Sequence, residues 1–305
     1  MIFFKNVINM MFTDHYIRFA LVEERTKTVK QVGEVKLKKG IISSGKIMDA
    51  ELLQKIVRTI FKKYNLNAQL VNLMVPDATL VIKKIEVPSY LSNNDLKSHI
   101  KLELEEAQQI LPYNDPIIDV FEYQDSPKEN MKEVILFATS KQIISSYLKV
   151  IQRFKKTVTK SFVSPLLTRK LFLYSKNQSQ DGQQYTMYTQ IRENSHIITI
   201  FDHHLPIISL KDTFELDDYD EDAYVEQILD VIERVNHFFK YQYSKKKENI
   251  EKIVLYTEFD FKKNLVELIR DKIDVDIEFI RINDFKTKLP RAMLRKYYLP
   301  IAMSL

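Results

Sequence analysis

The stretch "YTMYTQIRENSHIITIFDHHLPIISLKDTF", residues 185–214, holds three runs rich in β-branched and aromatic residues. They are 185–193, 195–202 and 206–214, and tight turns separate them. Runs of that length and composition read as strands. The next segment, 220–243, has Val225, Ile228, Leu229, Ile232, Val235 and Phe239 at helical spacing, which makes one apolar face on a long helix. "KIVLYT" (252–257) reads as a further strand, followed by a helix over 260–271 and a strand over 275–280. The order is β-β-β-α-β.

Working outward, the same order stands at the start of the chain. Residues 2–12, 16–24 and 28–38 are β-rich and joined by "TDHY" and "ERTK". Asp49 then precedes a helical pattern with Leu52, Leu53, Ile56, Val57 and Ile60 on one face, an aspartate N-cap before an amphipathic helix. "QLVNLMV" (69–75) follows as a buried strand. Two copies about 180 residues apart are an internal duplication of element order rather than of residues. Three antiparallel strands followed by αβ units resemble the ribonuclease-H-like half of the actin superfamily. The expected fold is therefore α/β and actin-like, with duplicated ribonuclease-H-like subdomains.

The segment between the copies sets the expected domain plan. Residues 1–77 with 286–305 form the first subdomain, 78–155 an inserted αβ subdomain, 156–184 a connecting helix and flexible linker, and 185–285 the second subdomain. Within the insertion, 79–88, 117–123 and 132–139 read as strands. Residues 93–111, with Leu96, Ile100, Leu104, Ala107 and Leu111 on one face, and 141–154 read as helices. The polar stretch 174–186, containing Gly182, is the expected flexible part.

Composition narrows the function. The chain has no cysteine, which excludes a disulfide framework, thiolate zinc and a cysteine nucleophile. Its net charge is +5, but the only dense basic runs are "RFKKTVTK" (153–160) and "KKK" (245–247). They read as solvated helix ends, and without an aromatic-rich RNA motif or zinc finger they predict no nucleic-acid partner. The apolar start is broken by Lys5, Asn6 and Asn9, and no run approaches the ~18 apolar residues of a spanning helix. A cytoplasmic protein without direct membrane insertion is expected. Only four residues are glycine, where average usage of ~7% gives about twenty. Glycine lets backbone N–H groups close on a phosphate, so material for phosphate loops is scarce.

Several stretches together resemble the PilM family, the actin-like cytoplasmic proteins of type IV pilus and related secretion or competence machines. "GKIMDAELLQKIV" is similar to that family's helix entry. In 87–124 a Val-Pro follows a strand, a helix carries Glu106-Ala107, and Leu111-Pro112-Tyr113 and then Asp119 and Tyr123-Gln124 come after it. "EQILDVIERVNHFFKYQY" and the closing "YYLPIAMSL" match in order. The resemblance implies a scaffold that recruits inner-membrane components, binding a short cytoplasmic tail of a PilN-like membrane protein. It implies a partner groove lined here by Leu80, Ile82, Ile100 and Leu104, leaves self-association open, and puts the protein at the inner face of the membrane through its partner.

The resemblance also locates the family's nucleotide elements. Aligned on Ile17-Arg18, the first phosphate-turn aspartate falls on Met11 and its glycine on Thr13. In the second copy they fall on Thr189 and Ile191. The adenosine-region glycines become Thr257 and Glu258. A thioether cannot replace a hard oxygen near Mg²⁺. The expectation is a pseudo-ATPase: no enzyme activity and no cofactor, with an active actin-like ATPase using ATP and Mg, or an FtsA-like division protein, as alternatives. In the opening turn Asp14 and His15 are expected to be exposed, with Thr13 or Asp14 capping it.

Other candidates read as structural. Asp202-His203-His204 sits at a hairpin turn without the further ligands that zinc takes. Glu103, Glu105 and Glu106 read as a charged helix face, and the acidic 214–224 as the start of a helix whose dipole favours negative charge. Neither G-x-S-x-G nor a P-loop is present. The closing 289–305, with Pro300 in its middle, reads as a packed helix rather than a membrane anchor.

Overall fold

The computed structural model describes residues 5–107, 111–179, 182–213, 221–245, 247–260, 265–282 and 285–305, with only the backbone at 93–94, 103–107 and 292. It divides into two compact units, Met1–Val163 with Ser304 and Ser164–Met303 with Leu305.

In the first unit, β1 (Asn6–Phe12) and β2 (Tyr16–Glu23) are buried on both faces, as their nearly unbroken apolar runs require. They form an antiparallel hairpin, and β3 (Thr28–Lys36) pairs antiparallel with β2. A two-stranded hairpin follows, β4 (Ile42–Ser43) and β5 (Lys46–Ile47). Helix α1 (Ala50–Lys63) starts at Asp49, whose carboxylate accepts from Leu52 N at 2.9 Å. It buries Leu53, Val57, Ile60 and Phe61, while Leu52 stays at the solvent edge. The chain returns through β6 (Leu70–Met74), parallel to β1.

An excursion follows: β7 (Val81–Pro88), α2 (Asn93–Ala107), β8 (Pro116–Asp125) and β9 (Met131–Ser140). Its strands form a separate antiparallel sheet in the order β7-β9-β8. Leu96 and Ile100 of α2 pack on one face of that sheet, against Val87, Ile118, Val134, Leu136 and Ala138. Then α3 (Lys141–Gln152) and β10 (Thr157–Phe162) return to the main sheet, whose order is β10-β6-β1-β2-β3.

This return corrects two expected boundaries. α3 belongs to the first core, where Ile143, Tyr147, Val150 and Ile151 join Ile8, Met10, Phe12 and Leu73. The connecting segment expected at 156–184 is not one piece. Its first part is β10, parallel to β6, and its next part, α4 (Ser164–Lys176), opens the second unit.

The second unit repeats the plan. β11 (Tyr185–Arg192), β12 (Ser195–Asp202) and β13 (Leu205–Thr213) are antiparallel. α5 (Glu221–Phe238) runs on into a π-helical turn over Phe239–Tyr243, and β14 (Lys252–Thr257) lies parallel to β11. α6 (Leu265–Lys272) leads to β15 (Asp276–Phe279), and the sheet order is β13-β12-β11-β14-β15. Ile228, Leu229 and Ile232 of α5 are buried, as their spacing predicts. The closing helix α7 (Tyr298–Ala302) packs on α4, and Tyr298 stacks on Tyr256 at 6.0 Å. The expectation that 286–305 belongs to the first subdomain is thereby corrected. Only Ser304 joins that unit, its hydroxyl accepting from Asn9 Nδ2 at 2.7 Å. Among the described residues, no helix is long and apolar enough to cross a membrane.

Candidate functional site

The β1–β2 turn is the first place where a nucleotide element was expected. Met11 is fully buried inside β1, paired with Arg18 on one side and Met74 on the other. Thr13 closes the turn: its Oγ1 accepts from Tyr16 N at 3.0 Å and donates to Tyr16 O at 3.1 Å. His15 is exposed. Asp14 is not idle. One carboxylate oxygen accepts from Ser44 N at 2.6 Å and the other from Gly45 N at 2.9 Å. The side chain is half-buried, so the expectation of an exposed Asp14 is corrected. Its partners lie 30 and 31 residues away, outside any local reading of the turn.

Gly45 is required there. Its φ is +74°, and a Cβ would stand 2.9 Å from Pro76 Cβ and from Thr79 Cγ2. The Tyr147 hydroxyl, on α3, donates to Gly45 O at 2.9 Å. Burial, helped by the Asp14 charge, pushes that phenol well above its ordinary range. One of the few glycines near the first turn thus serves packing between the β4–β5 hairpin and α3. Next to Met11, the buried Arg18 donates through Nε to Glu34 at 2.6 Å, and its guanidinium stands 3.8 Å from the Tyr16 ring centroid.

In the second unit Thr189 and Ile191 are buried within β11, and the hairpin turn falls at Glu193-Asn194. Glu258 N donates to Ile191 O at 3.1 Å. The buried Glu258 carboxylate turns back to the hairpin, where Oε2 accepts from Glu193 N at 3.3 Å. An amide at such a turn is the donor that elsewhere holds an anion. Here a carboxylate of the same unit engages it. Tyr224 of α5 donates to Arg192 O at 2.7 Å, and its ring meets Phe259 at 5.6 Å. Thr257 stitches the turn after β14, with Oγ1 donating to Phe259 O at 2.5 Å and accepting from Phe259 N at 3.2 Å. A thioether, an isoleucine and an engaged carboxylate do not form the hard-oxygen and bare-amide set that magnesium and phosphate take.

At the β12–β13 turn His203 has φ +51°, and its Nδ1 is 2.7 Å from Asp202 Oδ1. Glu103, Glu105, Glu106 and the segment 214–220 lie outside the described side chains.

Of the four residues expected to line a partner groove, Ile82 and Ile100 lie on opposite faces of the excursion's sheet. Ile100 is buried in the α2–sheet core, with 1% of its surface exposed. Ile82 pairs with Phe137, whereas Val81 pairs with the core residue Ala138, so alternation puts Ile82 on the opposite face. Leu80 is half-buried just before β7, and the side chain of Leu104 is outside the described part. The face that carries Ile82 also carries Phe137, Ile117 and Phe121. Ile117 and Phe121 are 44% and 40% exposed, and Phe121 meets Phe137 edge-on at 5.4 Å. This apolar row is exposed on the sheet face opposite the one that α2 covers. The alternation of β8 carries the signal of this face, whereas the expected groove between strand and helix lies toward the face that α2 covers. Tyr113 of the Leu-Pro-Tyr stretch donates to Thr79 O at 2.7 Å and ties the loop before β8 to the start of the excursion.

A family model described as type IV pilus assembly protein PilM matches residues 12–200. Among solved structures, a chain of a PilM-PilN type IV pilus biogenesis complex is similar with a TM-score of 0.72 at 12% identity, covering 97% of this chain and 97% of that one. The cytoplasmic domain of EpsL, an inner membrane component of the type II secretion system of Vibrio cholerae, is similar with a TM-score of 0.53 at 8% identity, over 99% and 96% of the two chains. These likenesses place the chain in the actin-like fold. Among curated proteins, none matches the sequence.

Proposed function

Because the chain belongs to the type IV pilus assembly protein PilM family, we propose that it acts there as a non-catalytic scaffold. It binds a short cytoplasmic peptide of a PilN-like inner-membrane protein and is held at the membrane through that partner. The observation that carries the non-catalytic reading is Glu258, whose carboxylate engages the hairpin amide at Glu193. Met11 and Ile191, buried and without a hard donor, support it. Similarity to a chain solved in a PilM-PilN complex supports the partner class. The exposed row of Ile117 and Phe121 beside Ile82 supplies the apolar surface on which an extended peptide buries its side chains.

The test is titration of a synthetic tail peptide from the PilN-like protein into the purified chain. Phe121→Asp should weaken binding by about tenfold or more, as loss of a central apolar anchor does. Unchanged affinity would move the site elsewhere. A parallel titration with Mg-ATP should give no heat of binding; saturable binding would replace the scaffold reading with that of an ATPase.

A further inference from the structure

The basic run 153–156 stands alone in the sequence, but the fold gives it neighbours. Val7, Leu70 and Thr157 lie abreast at the starts of the parallel strands β1, β6 and β10. The β2–β3 turn reaches the same end, because Asn6 pairs with Glu23 and Glu23 with Thr28. α1 and α3 both finish there, since each leads directly into one of those strands. One end of the first sheet therefore collects Arg25 and Lys27 from the turn, Lys62 and Lys63 from the last turn of α1, and Arg153 and Lys155 from the loop after α3. All six are exposed. The segments 24–27, 61–69 and 153–156 contain a single carboxylate, Glu24. Its neighbour Glu23 is buried and bound to Lys30 at 2.6 Å. The end is also built firmly: Lys156 Nζ donates to Leu66 O at 2.8 Å and Ala68 O at 2.6 Å, clamping the loop after α1 to the loop after α3.

The helix dipole accounts for cations at 62 and 63. It does not account for Arg25 and Lys27 on a turn between strands. We propose that this end of the first unit is a docking surface for an anionic lipid bilayer. A broad array of cations on loops and helix ends, with almost no acid among them, matches a surface of phosphate headgroups. Single-stranded nucleic acid would call for exposed rings on which bases stack. The aromatics here are engaged instead: Phe61 packs edge-on with Phe154 at 5.2 Å, and Tyr64 with Phe19 at 4.8 Å.

Vesicle co-sedimentation of the full chain tests this. The chain should bind phosphatidylcholine–phosphatidylglycerol vesicles, ignore phosphatidylcholine alone, and release as salt is raised. Each cation contributes roughly fivefold to such binding, so Lys62→Gln with Lys155→Gln should cost about 25-fold. Lys38→Gln with Lys46→Gln removes the same charge at the opposite end of the sheet and should leave binding near wild type. Equal losses in both double variants would reduce the effect to net charge and overturn the proposal. So would absence of binding to anionic vesicles, or tighter binding to an oligonucleotide than to vesicles. Peptide titration on the same variants keeps the two readings apart, because the tail peptide should bind them unchanged.

Discussion

At the scale of single residues, Asp14 shows how a turn can be read correctly and still be misjudged. Thr13 was legible as its cap because the partners are two and three residues away. The two amides that Asp14 accepts come from a hairpin thirty residues on, and no local pattern announces them. Asp14→Ala should therefore cost about 1–3 kcal/mol, the worth of hydrogen bonds to a charged group, rather than the few tenths of a free surface site. A thermal melt of the variant checks it. His196 gives a pH-dependent counterpart. It is buried on β12, and burial holds its pKa below the ordinary 6.5. Asp212, 3.9 Å away, pulls the value back up, and Arg234 pushes it down. The folded state thus gives up the proton more readily than the unfolded chain. Stability is present in full above the unfolded value of 6.5 and is lost as pH falls from there through the lower folded value. Urea unfolding on either side of that window should show the loss, and His196→Gln should flatten it.

At the scale of elements, the duplicated order was legible because both copies bury whole strands and carry amphipathic helices of clear period. Ile228, at 0% exposure on α5, is a direct consequence of that period. Ile228→Ala should cost about 2–5 kcal/mol, measured by chemical denaturation. β10 was not legible. "TVTKSF" is a short edge strand whose side chains mostly face solvent, so the pairing that makes it a strand leaves little hydrophobic trace. Missing β10 also misassigned α3, whose apolar face serves the main sheet to which the chain returns through β10. The β4–β5 hairpin carries its own test. Gly45→Ala must hold φ at +74° and push a methyl group against Pro76 and Thr79. It should cost more than the ~1 kcal/mol that such a swap gains at a compatible site, and the melt should show it.

At the scale of the whole molecule, the actin-like plan was readable from order alone, whereas the division of the chain was not. The C-terminal helix packs on α4, a contact fixed by tertiary complementarity rather than by period. The expected binding groove drew Ile82 and Ile100 from opposite faces for a related reason: alternation shows that a strand has two faces but not which of them a helix covers. With Glu258 on the hairpin amide, Mg-ATP should leave the melting temperature unchanged, whereas a site binding it at a hundred times its dissociation constant would add about 3 kcal/mol. One joint in the excursion carries a further consequence. The Thr79 and Thr139 hydroxyls meet at 3.0 Å, a clasp where the chain departs from the main body and rejoins it. A graft of residues 80–138 between relatives that share this clasp should leave the recipient's two cores intact and carry the donor's choice of peptide with it.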